Sequence, residues 1–382
     1  MNSPTIYFDY AATTPLDAEI LEAYPQLLLK YFANSSSSHA LGAFTESLQE
    51  RARRQIADQF HVDPQEIIFT SGASEANNLA IKGTAFAYRK RGHQLITSEI
   101  EHPSVRNTFL QLEKEFGFQV TYLPVDEQGI VNLEALREAL SNDTILVSIM
   151  AVNNEVGSIQ PLKAIADITK MLAPNAFLHT DATQAIGKVN CDFESYDLVS
   201  MSAHKIYGLK GSGMLLKRSR VQPLSLISGG SQEFSYRAGT SNWPANVMLA
   251  KALRLTEERF EQDVSIARKV WTILYEGLAS RDDILVNSNP SGSPFIMNFS
   301  LKKYKASVVV QALEEAQIYV STVSACGSHA GAPSHVIQAM FHDVARSEES
   351  IRLSWGRGID ESATRTFLNI FFNILTQIRS QR

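Results

Sequence analysis

Asp197-Leu-Val-Ser-Met-Ser-Ala-His-Lys-Ile-Tyr-Gly-Leu-Lys-Gly-Ser-Gly213 is the stretch whose reading decides the fold. Its apolar start, Leu198 to Ser202, stops abruptly at the pair His204-Lys205 and passes into a glycine-rich turn. A short apolar run bounded by turn residues reads as a buried strand of an α/β sheet. Ligands of such sheets gather beyond the carboxyl ends of the strands, so Lys205 is expected to point an amine into a cleft. Taken alone, Lys205 also reads as a solvated loop lysine.

Outward from this strand the same rhythm recurs. Glu66 to Thr70, Gln94 to Ser98, Gln119 to Leu123, Thr144 to Ala151, Ala176 to Thr180 and Gly213 to Lys217 are expected strands. Helical patterns at Glu75 to Arg91, Pro103 to Phe116 and Leu162 to Leu172 fit the crossovers between them. The alternation predicts an α/β fold with a mainly parallel sheet covered by helices on both faces. Upstream, Leu41, Phe44, Leu48, Ile56 and Phe60 recur at helical intervals, which predicts an amphipathic helix from Ala40 to Phe60. After about Ala245 a long charged helical pattern runs to about Ala279, followed by Gly/Ser/Pro-rich Asn287 to Pro294 and mixed elements. A smaller α+β domain is expected there, ending in a helix with Phe367, Ile370, Phe371, Ile374 and Ile378 on one face.

The chain has 382 residues, 44% of them hydrophobic, long enough for two domains. A formal net charge of -5 gives no electrostatic reason to expect nucleic acid or an anionic membrane as partner. No run of apolar residues is long enough to span a bilayer, and the N-terminus shows no secretory or transit pattern. Cys191 and Cys326 are too few for a disulfide scaffold and lack the paired spacing of a zinc site, so no metal centre is expected and the cytoplasm is the natural compartment.

Four features give Lys205 company. Asp181 ends the apolar run Ala176-Phe-Leu-His-Thr-Asp181, one strand upstream. A carboxylate and a lysine at the same end of neighbouring strands suit pyridoxal phosphate: the lysine forms the Schiff base and the carboxylate keeps the pyridine nitrogen protonated. The pair also reads as a simple salt bridge or strand-end cap. Phe69-Thr-Ser-Gly-Ala-Ser-Glu-Ala-Asn-Asn78 runs from strand through a small-residue turn into a helix, where free N–H groups favour a phosphate or merely cap the helix. It lacks the Gly-Lys-Ser/Thr ending of a nucleotide-hydrolysing loop. His102 follows a strand, where an imidazole stacks on a planar ring or moves protons. Asn154 and Gln184 hold comparable strand-end positions, suited to a ring hydroxyl or to turns. Cys326 lies in Val323-Ser-Ala-Cys-Gly-Ser-His-Ala-Gly331, a setting that suits a nucleophilic thiolate or a structural turn, whereas Cys191 reads as inert packing.

Together these residues resemble the NifS/IscS-type cysteine desulfurases, of aminotransferase class V and PLP fold type I. Tyr7-Phe-Asp-Tyr-Ala-Ala-Thr-Thr-Pro15, Phe69-Thr-Ser-Gly-Ala-Ser-Glu75, Glu101-His102, Asn153-Asn-Glu-Val-Gly157, His179-Thr-Asp-Ala-Thr-Gln184, His204-Lys-Ile-Tyr-Gly208, Arg237-Ala-Gly-Thr240, Ser324-Ala-Cys326, Ser334-His-Val336 and Ile351-Arg-Leu-Ser354 match that pattern in order. The resemblance implies a large domain (14–258) with a mainly parallel seven-stranded sheet, and a smaller α+β domain (1–13 and 259–382). It implies Lys205 as the Schiff-base lysine and Cα-proton shuttle, Asp181 on the pyridine nitrogen and His102 on the ring. Ala73, Ser74, Ser202 and His204 are then the phosphate site, with Thr240 from the partner of a homodimer, and Asn154 and Gln184 lie near the ring hydroxyl. Arg352 is the expected clamp on the substrate carboxylate, Asn34 its helper, and Cys326 the sulfur acceptor. The implied reaction turns L-cysteine into L-alanine, and the Cys326 persulfide goes to an acceptor protein for iron-sulfur assembly or tRNA thiolation. A selenocysteine lyase, an aminotransferase or a catalytically silent paralogue is the alternative. Leu209 and Gly327 depart from the family pattern, as does the looser segment Gly229-Gly-Ser-Gln-Glu-Phe-Ser-Tyr-Arg237.

Overall fold

The computed structural model describes residues 5–322 and 333–380. In chain order the strands are β1 (Ile6–Tyr7), β2 (Ile67–Thr70), β3 (Gln94–Ser98), β4 (Gln119–Leu123), β5 (Thr144–Ser148), β6 (Phe177–Asp181), β7 (Leu198–Ser202), β8 (Gly213–Lys217), β9 (Ile284–Val286), β10 (Ile296–Leu301), β11 (Ile318–Tyr319), β12 (Ser321–Thr322) and β13 (Ser350–Ser354). Seven of them form one sheet in the order β2-β8-β7-β6-β5-β3-β4. The pairings from β7 through β6, β5 and β3 to β4 are parallel, while β8 runs antiparallel to β7 and β2. The mainly parallel sheet is therefore present, with one antiparallel insert. A short loop, residues 203–212, joins β7 to β8, and only an antiparallel return needs no crossover helix.

Successive residues of each strand feed opposite faces. Phe69, Ile96, Val147 and Val199 pack on one side with Ile56, Ile165, Leu249 and Leu253 from helices Ala40–Gln59, Leu162–Leu172 and Trp243–Glu258. Ile68, Leu95, Leu146 and Leu198 pack on the other with Leu79, Ile81 and Phe109 from helices Ala73–Tyr88 and Pro103–Phe116. Both faces being covered explains why these strands are continuous apolar runs.

Two expectations are adjusted. The apolar run expected to reach Ala151 leaves the strand at Ser148, although Ile149 and Ala151 still donate N–H groups to the carbonyls of His179 and Asp181. The long pattern from Ala245 to Ala279 is two helices, Trp243–Glu258 and Phe260–Ala279, broken at Arg259. There the Arg259 guanidinium donates to Asp17 Oδ2 at 2.7 Å and Glu19 Oε1 at 2.9 Å.

A second core joins the N-terminal segment to the C-terminal third. β12, β13, β10 and β9 form an antiparallel sheet and β1 pairs in parallel with β11. Ile6, Phe8 and Tyr10 pack there with Trp271, Leu274, Phe299, Phe367 and Phe371. Each such side chain contributes roughly 1.5–3 kcal/mol by burial. The last helix, Glu361–Ser380, buries Phe367, Phe371 and Ile374, with Ile370 and Ile378 partly covered, along the face expected from the sequence.

The segment leading to Thr240 is held in an unfavourable backbone state by one buried ion pair. Glu233, Phe234 and Ser235 have φ of 46°, 55° and 69°, a left-handed conformation that costs roughly 1–2 kcal/mol per residue. Glu233 accepts from Arg53 Nη1 at 2.8 Å and Nη2 at 2.9 Å, and from the Phe69 N–H at 2.8 Å. Arg53 is sandwiched between the rings of Phe69 and Phe234. Removing one partner of a buried pair costs about 3–5 kcal/mol, and without Glu233 only the partly exposed Glu50, 2.9 Å from Arg53 Nε, still faces the guanidinium. Glu233→Ala is expected to lower the urea midpoint by that free energy with an unchanged denaturant slope; a loss below about 1 kcal/mol would show that the pair does not hold this segment.

Candidate active site

The carboxyl ends of β6 and β7 open into a cleft of about 680 Å³. Ala73, Ser74, His102, Asn154, Asp181, Gln184, Ser202, His204, Lys205 and Arg352 all line it, so ten of the residues expected from the sequence are brought together. Asp181 ends β6, and β7 pairs beside it in parallel, with Ser200 opposite Asp181 and Ser202 at the strand's end. The chain then turns through Ala203 and His204 to Lys205. Parallel pairing alone puts the carboxylate and the amine on one edge.

Lys205 Nζ donates to the carbonyls of Ala11 and Ala12, both at 2.6 Å. The N-terminal segment thus crosses the mouth of the cleft and is tied down further by Thr14, which bonds the His204 carbonyl through N–H and hydroxyl. Burial drives His204 down to about 4, and Lys205 and Lys210 push the same way. Its ring is therefore neutral near pH 7.

Opposite Lys205, Gly72 caps helix Ala73–Tyr88 with φ of 149°, open to glycine alone. A side chain at Gly213 would meet the Gly72 backbone at 2.6 Å, so these two glycines let the helix start lie against the end of β7. The first turn presents Ala73 and Ser74 to the cleft beside Ser202. This is a helix N-terminus walled by small residues, with the potential and the room for an anion.

Between carboxylate and imidazole runs a hydrogen-bonded chain that the sequence did not reveal. Asn77 Nδ2 donates to Asp181 Oδ2 at 2.8 Å and to Ser104 Oγ at 2.9 Å. Ser104 Oγ lies 2.8 Å from His102 Nδ1, and the Ser104 N–H donates to the same nitrogen at 3.1 Å. A backbone N–H can only donate, so Nδ1 is unprotonated and the neutral ring carries its proton on Nε2. Burial lowers the His102 pKa; Asp181 opposes this, and Lys205 and Arg352 reinforce it. Behind Asp181, His179 is fully buried between Ser148 Oγ (2.7 Å) and Ser200 Oγ (3.0 Å), and burial takes it down to about 4. The only sequence signals for Asn77 and Ser104 were their positions near the starts of helices that begin at Ala73 and Pro103.

Arg352, on β13, is 2% exposed and reaches the cleft from the second core. It donates to the Asn154 carbonyl at 3.0 Å and to Asp9 Oδ1 at 2.9 Å. Thr240 and Asn34 are exposed and do not line the cleft of their own chain; Asn34 Oδ1 instead accepts the Ser36 N–H. Cys326 lies outside the described residues. Cys191, half-buried, is pushed up to about 11 by burial, which leaves it a thiol.

A family model described as aminotransferase class-V matches residues 6–361, and the chain belongs to that family. It is 43% identical to a NifS/IcsS protein homolog of Lactobacillus delbrueckii subsp. bulgaricus, over 94% of this chain and 93% of that one. It is 40% identical to the cysteine desulfurase IscS of Neisseria meningitidis serogroup C, over 92% and 87%. Among solved structures, a NifS-like protein superposes with a TM-score of 0.92 at 35% identity over 98% and 100% of the two chains. SspA in complex with cysteine superposes at 0.80, also at 35% identity, over 92% and 98%. Within the class, these relatives place the chain with the NifS/IscS-type cysteine desulfurases.

Glu101, next to His102, is fully buried. Its Oε1 accepts from Ser98 Oγ at 2.7 Å and the Met150 N–H at 2.9 Å. Burial raises its carboxyl to about 8, with Asp181 adding to the rise. A carboxyl whose folded pKa is raised stabilises the fold fully below its unfolded value of about 4.5 and loses that contribution as pH rises toward about 8. Glu101→Gln, which mimics the protonated acid, is expected to gain on the wild type by up to about 1.4 kcal/mol per pH unit over that window. Urea unfolding at pH 5 and pH 8 measures this; equal differences at both would mean that Glu101 is ionised in the fold.

Proposed function

We propose that the chain is a pyridoxal-phosphate-dependent cysteine desulfurase that converts L-cysteine to L-alanine and collects the sulfur on Cys326. The observation that carries this reading is the convergence of Lys205, Asp181, His102 and a helix N-terminus in one cleft. An amine, a fixed carboxylate, a neutral imidazole and an anion cradle are the groups that this cofactor needs. Pyridoxal phosphate, when bound, supplies an electron sink that makes the Cα proton of an amino acid removable.

The chain's own residues divide the remaining work. Ala73, Ser74, Ser202 and His204 hold the phosphate, and Asp181, kept in place by Asn77 and the Thr183 N–H, faces the pyridine nitrogen. His102 would lie against the ring, with its proton kept on Nε2 by the Ser104 N–H that Nδ1 accepts. Asn154 and Gln184 sit near the ring hydroxyl. Arg352 pairs with the substrate carboxylate, with Asn34 assisting. Lys205 Nζ carries the cofactor and moves the Cα proton. The Cys326 thiolate attacks the substrate sulfur: an S–S bond forms as the Cβ–S bond breaks, and the electron pair stays with the three-carbon product, which is protonated and leaves as alanine. The Cys326 persulfide then passes to an acceptor protein for iron-sulfur assembly or tRNA thiolation.

A homodimer fits Thr240, exposed and away from its own cleft, and fits the outward apolar side chains Leu29 (85% exposed) and Phe32 (81%). Residues 14–258 form the large domain of this reading, and residues 1–13 with 259–382 the small one. Among the described residues no helix is long and apolar enough to cross a membrane, which accords with a cytoplasmic setting.

Alanine release from L-cysteine by the reconstituted protein, with a thiol reductant present, tests the activity. Lys205→Ala is expected to lose the colour of the lysine-bound cofactor, whereas Cys326→Ala keeps the colour and forms neither persulfide nor alanine; normal bound sulfur in Cys326→Ala overturns the acceptor assignment. Arg352→Gln is expected to raise KM for cysteine by about 30-fold or more, since a lost buried charge pair costs roughly 2–5 kcal/mol. An unchanged KM would move the carboxylate clamp elsewhere.

A further inference from the structure

Lys188 is a buried amine to which this reaction gives no role. It lies four residues beyond Gln184, is 8% exposed, and donates from Nζ to Gln184 Oε1 at 2.6 Å. Burial presses its ammonium down to about 7, with Lys205 and Arg352 adding to the effect. Keeping a lysine in such a place is costly unless its contact matters.

The other end of the Gln184 amide is equally constrained. Gln184 Nε2 donates to the Ala11 carbonyl at 3.0 Å, and the same carbonyl accepts from Lys205 Nζ at 2.6 Å. Lys188 Nζ is the donor in its contact with the amide oxygen, and the Ala11 carbonyl can only accept. Both neighbours therefore demand one orientation, with oxygen toward Lys188 and nitrogen toward the Lys205 amine. Without Lys188 the amide oxygen loses this buried donor, and the Ala11 carbonyl alone is left to hold the amide in this orientation.

We infer that Lys188 is a positioning residue: it locks the Gln184 amide so that an N–H, and not a carbonyl, faces the ring hydroxyl of pyridoxal phosphate. The inference rests on the cofactor reading above. In pyridoxal phosphate that hydroxyl neighbours the aldehyde carbon that Lys205 takes, so a donor sharing the Ala11 carbonyl with Lys205 is on the correct side of the ring. A donor there stabilises the oxygen as an anion and makes the adjoining lysine-bound nitrogen easier to deprotonate. Loss of the donor raises the pH at which that nitrogen gives up its proton.

The test is the pH midpoint of the cofactor's visible absorbance in full-length protein reconstituted with pyridoxal phosphate, for wild type, Lys188→Met, Gln184→Leu and the double variant. Lys188→Leu is read in the same way should Lys188→Met not fold. The expected result is a midpoint raised by about one unit in the Lys188 variant, similarly raised in Gln184→Leu, and raised no further in the double variant. An unchanged midpoint in the Lys188 variant overturns the inference. So does a Lys188 effect that persists undiminished on the Gln184→Leu background, since Lys188 would then act by its charge alone. A wild type that takes no colour overturns the cofactor reading itself, and is distinguishable from either result.

Discussion

The parallel pairing of β5, β6 and β7 puts three strand ends on one edge of the sheet, and the chemistry of the cleft depends on that edge. Strand-to-strand spacing in a sheet is close to 5 Å, so groups that follow β6 and β7 are neighbours however far apart they lie in the chain. Asp181 ends one strand and Lys205 follows the next by a single tight turn. The antiparallel β8 matters for the same reason. It sends the chain straight back from Lys205, which leaves the cleft mouth to the N-terminal segment and not to a crossover helix.

Beneath these groups lies a layer of buried polar residues whose hydrogen bonds fix the protonation of the groups above them. Asn77 ties Asp181 to Ser104, and Ser104 sets the tautomer of His102. His179 stays neutral between two serines directly behind Asp181, and Glu101 holds a proton next to His102. In a low-dielectric interior each bond in such a chain is strong and each omission is expensive. Asn77 Oδ1 and Glu101 Oε2 are nonetheless without a partner among the described residues. With Oε1 accepting twice, the Glu101 proton falls on Oε2, so one of these two unpaired atoms is an acceptor and the other a hydroxyl.

Long-range ion pairs bring distant segments to the cleft. Arg53 and Glu233 are 180 residues apart, yet their contact holds three left-handed residues on the way to Thr240. Arg237, just beyond, pairs with Glu75 at 2.9 Å and so ties the same segment to the helix that forms the anion cradle. Asp9 and Arg352 are separated by 343 residues and tie the N-terminal segment to β13 beside the cleft. Segments from both cores therefore meet at one small volume.

The strands, the helix starts and about half of the residues lining the cleft were legible in the sequence, because apolar period and turn chemistry are local properties and because a lysine, an aspartate and a histidine at strand ends have few common reasons to be there. Ten of the expected residues line the cleft for that reason. Asn77, Ser104, Glu101 and Lys188 were not singled out for these contacts, since nothing in a neighbouring residue says that a buried amide will bridge two other side chains. Their partners lie 27, 104 and 49 residues away for the Asn77–Ser104, Asn77–Asp181 and Glu101–Met150 contacts. Even Lys188, only four residues from Gln184, gains its meaning from Ala11, 173 residues from that glutamine. Sequence alone determined most of the elements and the candidate groups at the strand ends. Tertiary packing decided orientation, tautomer and charge, because those depend on which donors and acceptors remain when water is excluded from both cores.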